Sequence, residues 1–193
     1  MLDQLKKYHL ILASRSPRRQ QLLRGMDIDF EVKVKESDES FPATMPPMDV
    51  APYLSRKKSL AFSSDELPPG FLLITADTVV IVDEQILNKP SDREDACRMI
   101  SILQGRHHKV VTGFTLRTQS TILTESDSSL VTFMPLSADE IDYYVSSYQP
   151  YDKAGAYGIQ EWIGYVGIAS VQGSFFNVMG LPTHKLYQAF KHF

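Results

Sequence analysis

The 193-residue chain has a single cysteine, Cys97. An intrachain disulfide is therefore impossible, and a cysteine-based metal site is excluded. Cys97 lies beside Ala96, Met99 and Ile100 on an expected helix, where a free thiol behaves as a small hydrophobe. A basic excess is also missing: 20 Lys and Arg stand against 23 Asp and Glu, for a net charge of −3. General nucleic-acid binding is disfavoured by that balance, although a small anion needs only a local cluster of positive charge. No apolar run approaches a membrane span. The stretch "MLDQLKKYHLIL" has no signal-like apolar region with a small-residue cleavage site, so a cytoplasmic location without membrane attachment is expected. Repeats, low-complexity tracts and linkers are missing as well. What remains is 43% apolar and 22% charged residues, an ordinary soluble composition, long enough for a sizeable core.

The order of local patterns predicts an α/β fold. "HLILA" predicts a short buried strand, His9 to Ala13. Ser16 as N-cap, Pro17 at the first helical position and Gly25 as a stop delimit a helix. Phe30 to Val34 alternates and predicts a strand. "ESDESFPATMPPMD" predicts a loop, and Asp49 is expected to cap a helix reaching about Ser63. "FLLITADTVVIV" predicts a central strand with a polar interruption, and "EQIL" a return strand. Ser91 with Glu94 forms an expected capping box for a helix ending at Gly105. "HKVVTGFTLRT" and "SSLVTFMPL" predict strands. Ser137 with Glu140 predicts another capped helix. A Gly-rich stretch follows, with short strand-like pieces, and "LPTHKLYQAFKHF" predicts a terminal helix. Together these indicate a mixed sheet with flanking helices in one domain, residues 1–193.

Four features carry chemistry. In "LASRSPRR" a strand leads into a Pro-started helix. The unpaired N–H groups and dipole there attract an anion. Ser14 and Ser16 add hydroxyls. Arg18 and Arg19 fall at the second and third helical positions, where the dipole opposes a cation, so a compensating anion would suit them. Arginine forks onto phosphate oxygens. The loop is not a Walker type, because its glycines and lysine are missing, and a plain capped helix is the other reading. Second, Asp77 and Thr78 interrupt an apolar strand, where an unpaired carboxylate is costly. A structural role and a catalytic or metal-binding role stand about even. Third, Arg56, Lys57 and Lys58 cluster on one helix, and Lys89 precedes a helix start; solvated charges are the simpler reading. His107 and His108 lack zinc spacing and suit structural roles. Fourth, Gly155 and Gly158 precede Gln160. Its amide could pair with the N3–H and carbonyl of uracil or thymine, but one glutamine does not identify a ligand.

These pieces together resemble the Maf family of nucleoside triphosphate pyrophosphatases. "LASRSPRRQQLL", "SDES", "RKKS", "TADTVV", "LNKP", "GRHHKVVTG", "YDKAGAYGIQ" and "GSFFNVMGLP" occur in family order along nearly the whole chain. The resemblance implies an inosine-triphosphatase-like mixed twisted sheet with two lobes around a cleft. It implies cleavage of the α–β phosphoanhydride with a divalent cation, Mg or Mn. Thr78 and Gln160 resemble the subgroup acting on dTTP and UTP. By position, Asp77 is implied as the base, with Glu39 and Asp77 as metal or water partners. Ser14, Arg18, Arg19, Lys58 and Lys89 are implied around the triphosphate, and Arg18, Thr78 and Gln160 in base preference. The implied partner is a nucleoside triphosphate, and a homodimer is left open. Ser59, Glu161 and Trp162 depart from the usual family residues, and Trp162 bears on base preference. A non-catalytic nucleotide-binding regulator of septum formation is the alternative; a carboxylate set among phosphates argues against it.

Overall fold

A computed structural model describes residues 2–193. A short 3-10 turn at Asp3–Lys7, which local patterns did not announce, precedes β1 (His9–Leu12). Helix α1 (Pro17–Arg24) follows, then β2 (Glu31–Val32) and α2 (Pro47–Leu60). The central strand β3 (Phe71–Val82) and the return strand β4 (Gln85–Leu87) come next, followed by α3 (Arg93–Leu103), β5 (His107–Arg117), β6 (Ile122–Phe133) and α4 (Ala138–Tyr148). The chain ends through α5 (Trp162–Gly167), β7 (Ile168–Gln172), α6 (Phe175–Met179) and α7 (Thr183–Phe190). The seven strands form one mixed sheet in the order β2-β1-β3-β5-β6-β7, with β4 paired to β3. β1 runs parallel to β2 and β3; β4 is antiparallel to β3, and β7 to β6. No helix among the described residues is long and apolar enough to cross a membrane.

The described chain divides into two compact units. The first holds the chain as far as Asp77, with Thr112–Asp127 and Gly180–Phe193. The second holds Thr78–Val111 and Ser128–Met179. In the first unit Ile11, Phe62, Leu67, Phe71 and Leu73 form a buried cluster with Ala13 packed against it. In the second, His108, Phe133 and Tyr157 meet ring to ring, with centroids 5.0 to 5.5 Å apart. His108 Nε2 and the Tyr157 hydroxyl lie 2.7 Å apart. Burial, with a smaller contribution from the charge of His107, pulls His108 from its usual 6.5 to about 3. This histidine is a neutral core residue, as its surroundings in the sequence suggested.

Several boundaries differ from expectation, each for a local reason. The strand expected over Phe30–Val34 shrinks to Glu31–Val32, because only Ile11↔Glu31 and Leu12↔Val32 pair with β1. Beyond it the amines of Lys33 and Lys35 turn to Glu66. α2 starts at Pro47 with Pro46 as its cap, and Asp49 lies inside its first turn. The fixed φ of proline suits the first helical position. α2 also stops at Leu60 rather than Ser63, because Ser63 and Glu66 form a capping box for a separate 3-10 turn. In α3 the cap is Asp92, not Ser91: the Asp92 carboxylate accepts from Asp95 N–H at 2.8 Å. Ser91 instead donates its N–H to the Asp95 carboxylate at 3.1 Å. The Ser137–Glu140 box caps α4 as expected. β6 begins at Ile122, earlier than its apolar end suggested.

Candidate functional site

In the first unit, β1 delivers the chain through Ala13 and Ser14 into α1. Ser14 is buried, and its hydroxyl accepts from Ser16 N–H at 3.2 Å. The Ser16 hydroxyl accepts from Arg19 N–H at 3.5 Å, so serine and proline start this helix as expected. The guanidinium of Arg19 is held by two carbonyls: Nε donates to Gly180 O at 2.8 Å and Nη1 to Ala76 O at 2.7 Å. Desolvation lowers its pKa, and the charge of Asp77 opposes that shift. Backbone carbonyls thus provide part of the compensation that the helix start denies a cation. Arg18 is half-buried on the same turn.

Lys58, on α2, gathers two carboxylates from distant segments. Its Nζ lies 2.8 Å from Glu39 Oε1 and also pairs with Asp77 Oδ1. The Lys58 side chain is only 17% exposed and that of Asp77 12%, so this pair is largely desolvated, while Glu39 is half exposed. Asp77 lies in β3, which runs unbroken through it, and the neighbouring strand residues are almost all buried. The ion pair explains how a carboxylate is tolerated there. Glu39 is placed by a second grip. Asp38 accepts from Lys57 Nζ and the Ser40 hydroxyl, each at 2.6 Å, and from Ser40 N–H at 2.8 Å. These bonds hold the Asp38 carboxyl below the usual carboxylate range. Consecutive lysines on one helix therefore hold consecutive acidic residues of one loop. Local patterns gave Lys57 no role; its position next to Lys58, and that of Asp38 next to Glu39, was the available signal.

In the second unit Thr78 is half-buried on β3, Lys89 is exposed after β4, and Gln160 is half-buried before α5. Thr78 follows Asp77 directly in the chain. The loop carrying Gln160 depends on glycine. Gly155 has φ +68°, and a Cβ there would come within 3.1 Å of three Val80 side-chain atoms. Gln160 Oε1 is buried with no hydrogen-bond partner. Trp162 rests edge-on against Tyr143 of α4, ring centroids 5.0 Å apart.

Glu39 and Asp77 are hard oxygen donors that reach one shared ammonium, which fits the one or two carboxylates typical of Mg²⁺ sites completed by phosphate and water. Among the described residues no group of three or more His, Cys, Asp or Glu could hold a metal ion. A cation here would therefore depend on ligands brought with the substrate.

A mixed sheet whose central strand carries a buried, ion-paired carboxylate defines the class as an α/β protein. Residues 9–193 match the family described as Maf-like protein, and the chain belongs to the Maf family. It is 55% identical to a "dTTP/UTP pyrophosphatase" of Porphyromonas gingivalis, the match covering 100% of this chain and 98% of that one. A protein of the same description from Parabacteroides distasonis is 48% identical, with 100% of each chain covered. A third, from Bacteroides thetaiotaomicron, is 49% identical over 99% of each.

Proposed function

We propose that this chain hydrolyses dTTP and UTP to the nucleoside monophosphate and diphosphate. The observation that carries the reading is the Lys58 cluster: Glu39 and Asp77, on separate segments, meet on one ammonium, with Lys58 and Asp77 withdrawn from water and Glu39 open to it. The descriptions of the relatives support the substrate assignment.

In this reading Asp77 accepts the proton of the attacking water. Lys58 pairs with Asp77 and Glu39, and shifts toward phosphate oxygens when substrate charge arrives. A divalent cation, Mg or Mn, held by Glu39 and Asp77, would neutralise phosphate oxygens and polarise the anhydride. Ser14, Arg18 and Lys89 bind phosphate oxygens. Arg19 contributes its positive charge while anchoring the Ala76 carbonyl, one residue before Asp77. Thr78 and Gln160, with Arg18, read the base. The buried Oε1 of Gln160 lacks a donor, an arrangement that costs about 1–3 kcal/mol. The N3–H of uracil or thymine, set against the carboxamide oxygen, would supply that donor. Cytosine has an acceptor at that position and would leave it unpaired.

The test is kcat/KM for diphosphate release across dTTP, UTP, CTP, ATP, GTP and 7-methyl-GTP. Preference for dTTP and UTP is expected. Vigorous hydrolysis of 7-methyl-GTP with little of dTTP would overturn the assignment, and nucleotide binding without diphosphate release would favour the regulator.

A further inference from the structure

The second unit contains a buried polar network for which the hydrolytic chemistry has no use. Lys153 has an 8% exposed side chain, and its Nζ lies 2.7 Å from Asp152 Oδ1 and 3.1 Å from Glu161 Oε1. The other oxygen of Glu161 accepts from the Tyr144 hydroxyl. That hydroxyl in turn accepts from Gly158 N–H at 3.0 Å. Tyr144 comes from α4 and is fully buried, stacked on Tyr148 with ring centroids 5.1 Å apart. The network thus fastens both ends of the four-residue segment 158–161. Gly158 is held by its N–H, Glu161 by both carboxylate oxygens, and Gln160 lies between them.

The segment has little room to adjust. A Cβ on Gly158 would come within 2.9 Å of both Gln160 Nε2 and Glu161 Oε2, so the backbone, the carboxamide and the carboxylate are packed together. Gln160 Nε2 is thereby confined from one side, while its Oε1 is the buried acceptor without a partner. Holding such an acceptor in place opposes its tendency to find a donor. A fixed charge pair and a phenol are groups able to do so at low cost in side-chain freedom, since tyrosine has few rotors and both ions are already paired.

We infer that Tyr144, Glu161 and Lys153 are positioning residues that orient the Gln160 carboxamide for base discrimination. The inference rests on the reading of Gln160 given above. The network touches no reacting atom. It acts by limiting the rotation of Gln160, so that a base offering an N3–H is bound better than one offering an acceptor. Loss of the network should therefore weaken discrimination more than turnover of the preferred substrate.

The test is the ratio of kcat/KM for dTTP over CTP, with kcat and KM resolved, in Tyr144→Phe, Gln160→Ala and the double variant. Tyr144→Phe keeps the ring and removes only the hydroxyl. It is expected to lower the ratio about tenfold, mainly through KM, with dTTP kcat changed less than about threefold. The double variant should discriminate no worse than Gln160→Ala alone. A second pair reads the same claim at the loop. Glu161→Gln keeps an acceptor for Tyr144 and should retain most of the ratio, while Glu161→Ala should lose it. This pair decides the matter if Tyr144→Phe does not fold. A collapsed ratio in Gln160→Ala with an intact ratio in Tyr144→Phe and Glu161→Ala would overturn the positioning role alone. An intact ratio in Gln160→Ala would overturn the reading of Gln160 and the network's role with it. Equal losses for all nucleotides in the network variants would reduce the network to a structural one.

Discussion

Two lysines in this molecule each hold two carboxylates, one in each compact unit. Lys58 pairs Glu39 with Asp77, and Lys153 pairs Asp152 with Glu161. Their side chains are similarly withdrawn from water, 17% and 8% exposed. The difference lies in what the carboxylates do next. Glu161 passes its second oxygen to Tyr144, which closes the network on the backbone of Gly158. Asp77 comes from a buried central strand and Glu39 from a separate loop, so Lys58 joins segments 38 residues apart in sequence. One arrangement locks a loop. The other gathers negative charge that would otherwise repel itself. Burial and charge pairing alone do not distinguish positioning from chemistry; the onward partners do.

The comparison can be broken by removing each lysine. Lys58→Met leaves two carboxylates without their shared cation, so kcat should fall roughly 10²-fold for every nucleotide. Stability should fall by about 3–5 kcal/mol, as for a buried pair that loses one member. Lys153→Met should lose comparable stability in urea unfolding, while the dTTP over CTP ratio falls more than dTTP turnover does. Parallel kinetic losses in the two variants would erase the distinction drawn between them.

A smaller effect sharpens the contrast with a buried titratable group that has no counter-ion. Folding holds His108 at about 3 instead of 6.5, chiefly by burial. Between those values the unfolded chain binds a proton that the folded chain does not, so stability is lost as pH falls through that window. At pH about 5.5 the loss is about 1.4 kcal/mol relative to neutral pH. His108→Gln, which cannot titrate but can still meet the Tyr157 hydroxyl, should remove that part of the acid dependence. The check is urea unfolding at about pH 8 and 5.5. An unchanged acid slope in the variant would mean that His108 takes up its proton alike in the folded and unfolded chain.

Much of this was legible in the residues because it is local. Ser16 and Pro17 start α1, and Ser137 with Glu140 caps α4, within one turn of chain. The apolar run around Asp77 announced a central strand and an expensive carboxylate together. The cap at Asp92 rather than Ser91 shows the limit of such rules, since two adjacent positions offered oxygen acceptors. α5, β7 and α6 were hidden by the Gly-rich composition of their stretch, where pairing with β6 rather than local preference makes the strand. The partner of Asp77 was not legible at all. Lys58 was one of three basic residues in a row, and only tertiary packing selects which of them meets the strand. Arg19 was legible as a cation in an unfavourable place, but its ties to Ala76 and Gly180 come from the third dimension.

The most direct measurement is product analysis with dTTP for wild type and Asp77→Asn, both shown to fold by thermal unfolding. The account predicts diphosphate and dTMP in equal amounts from the wild type, without orthophosphate. It predicts a rate lower by roughly 10²-fold or more in the variant. Orthophosphate with dTDP from the wild type, or near wild-type diphosphate release by a folded Asp77→Asn, would contradict it.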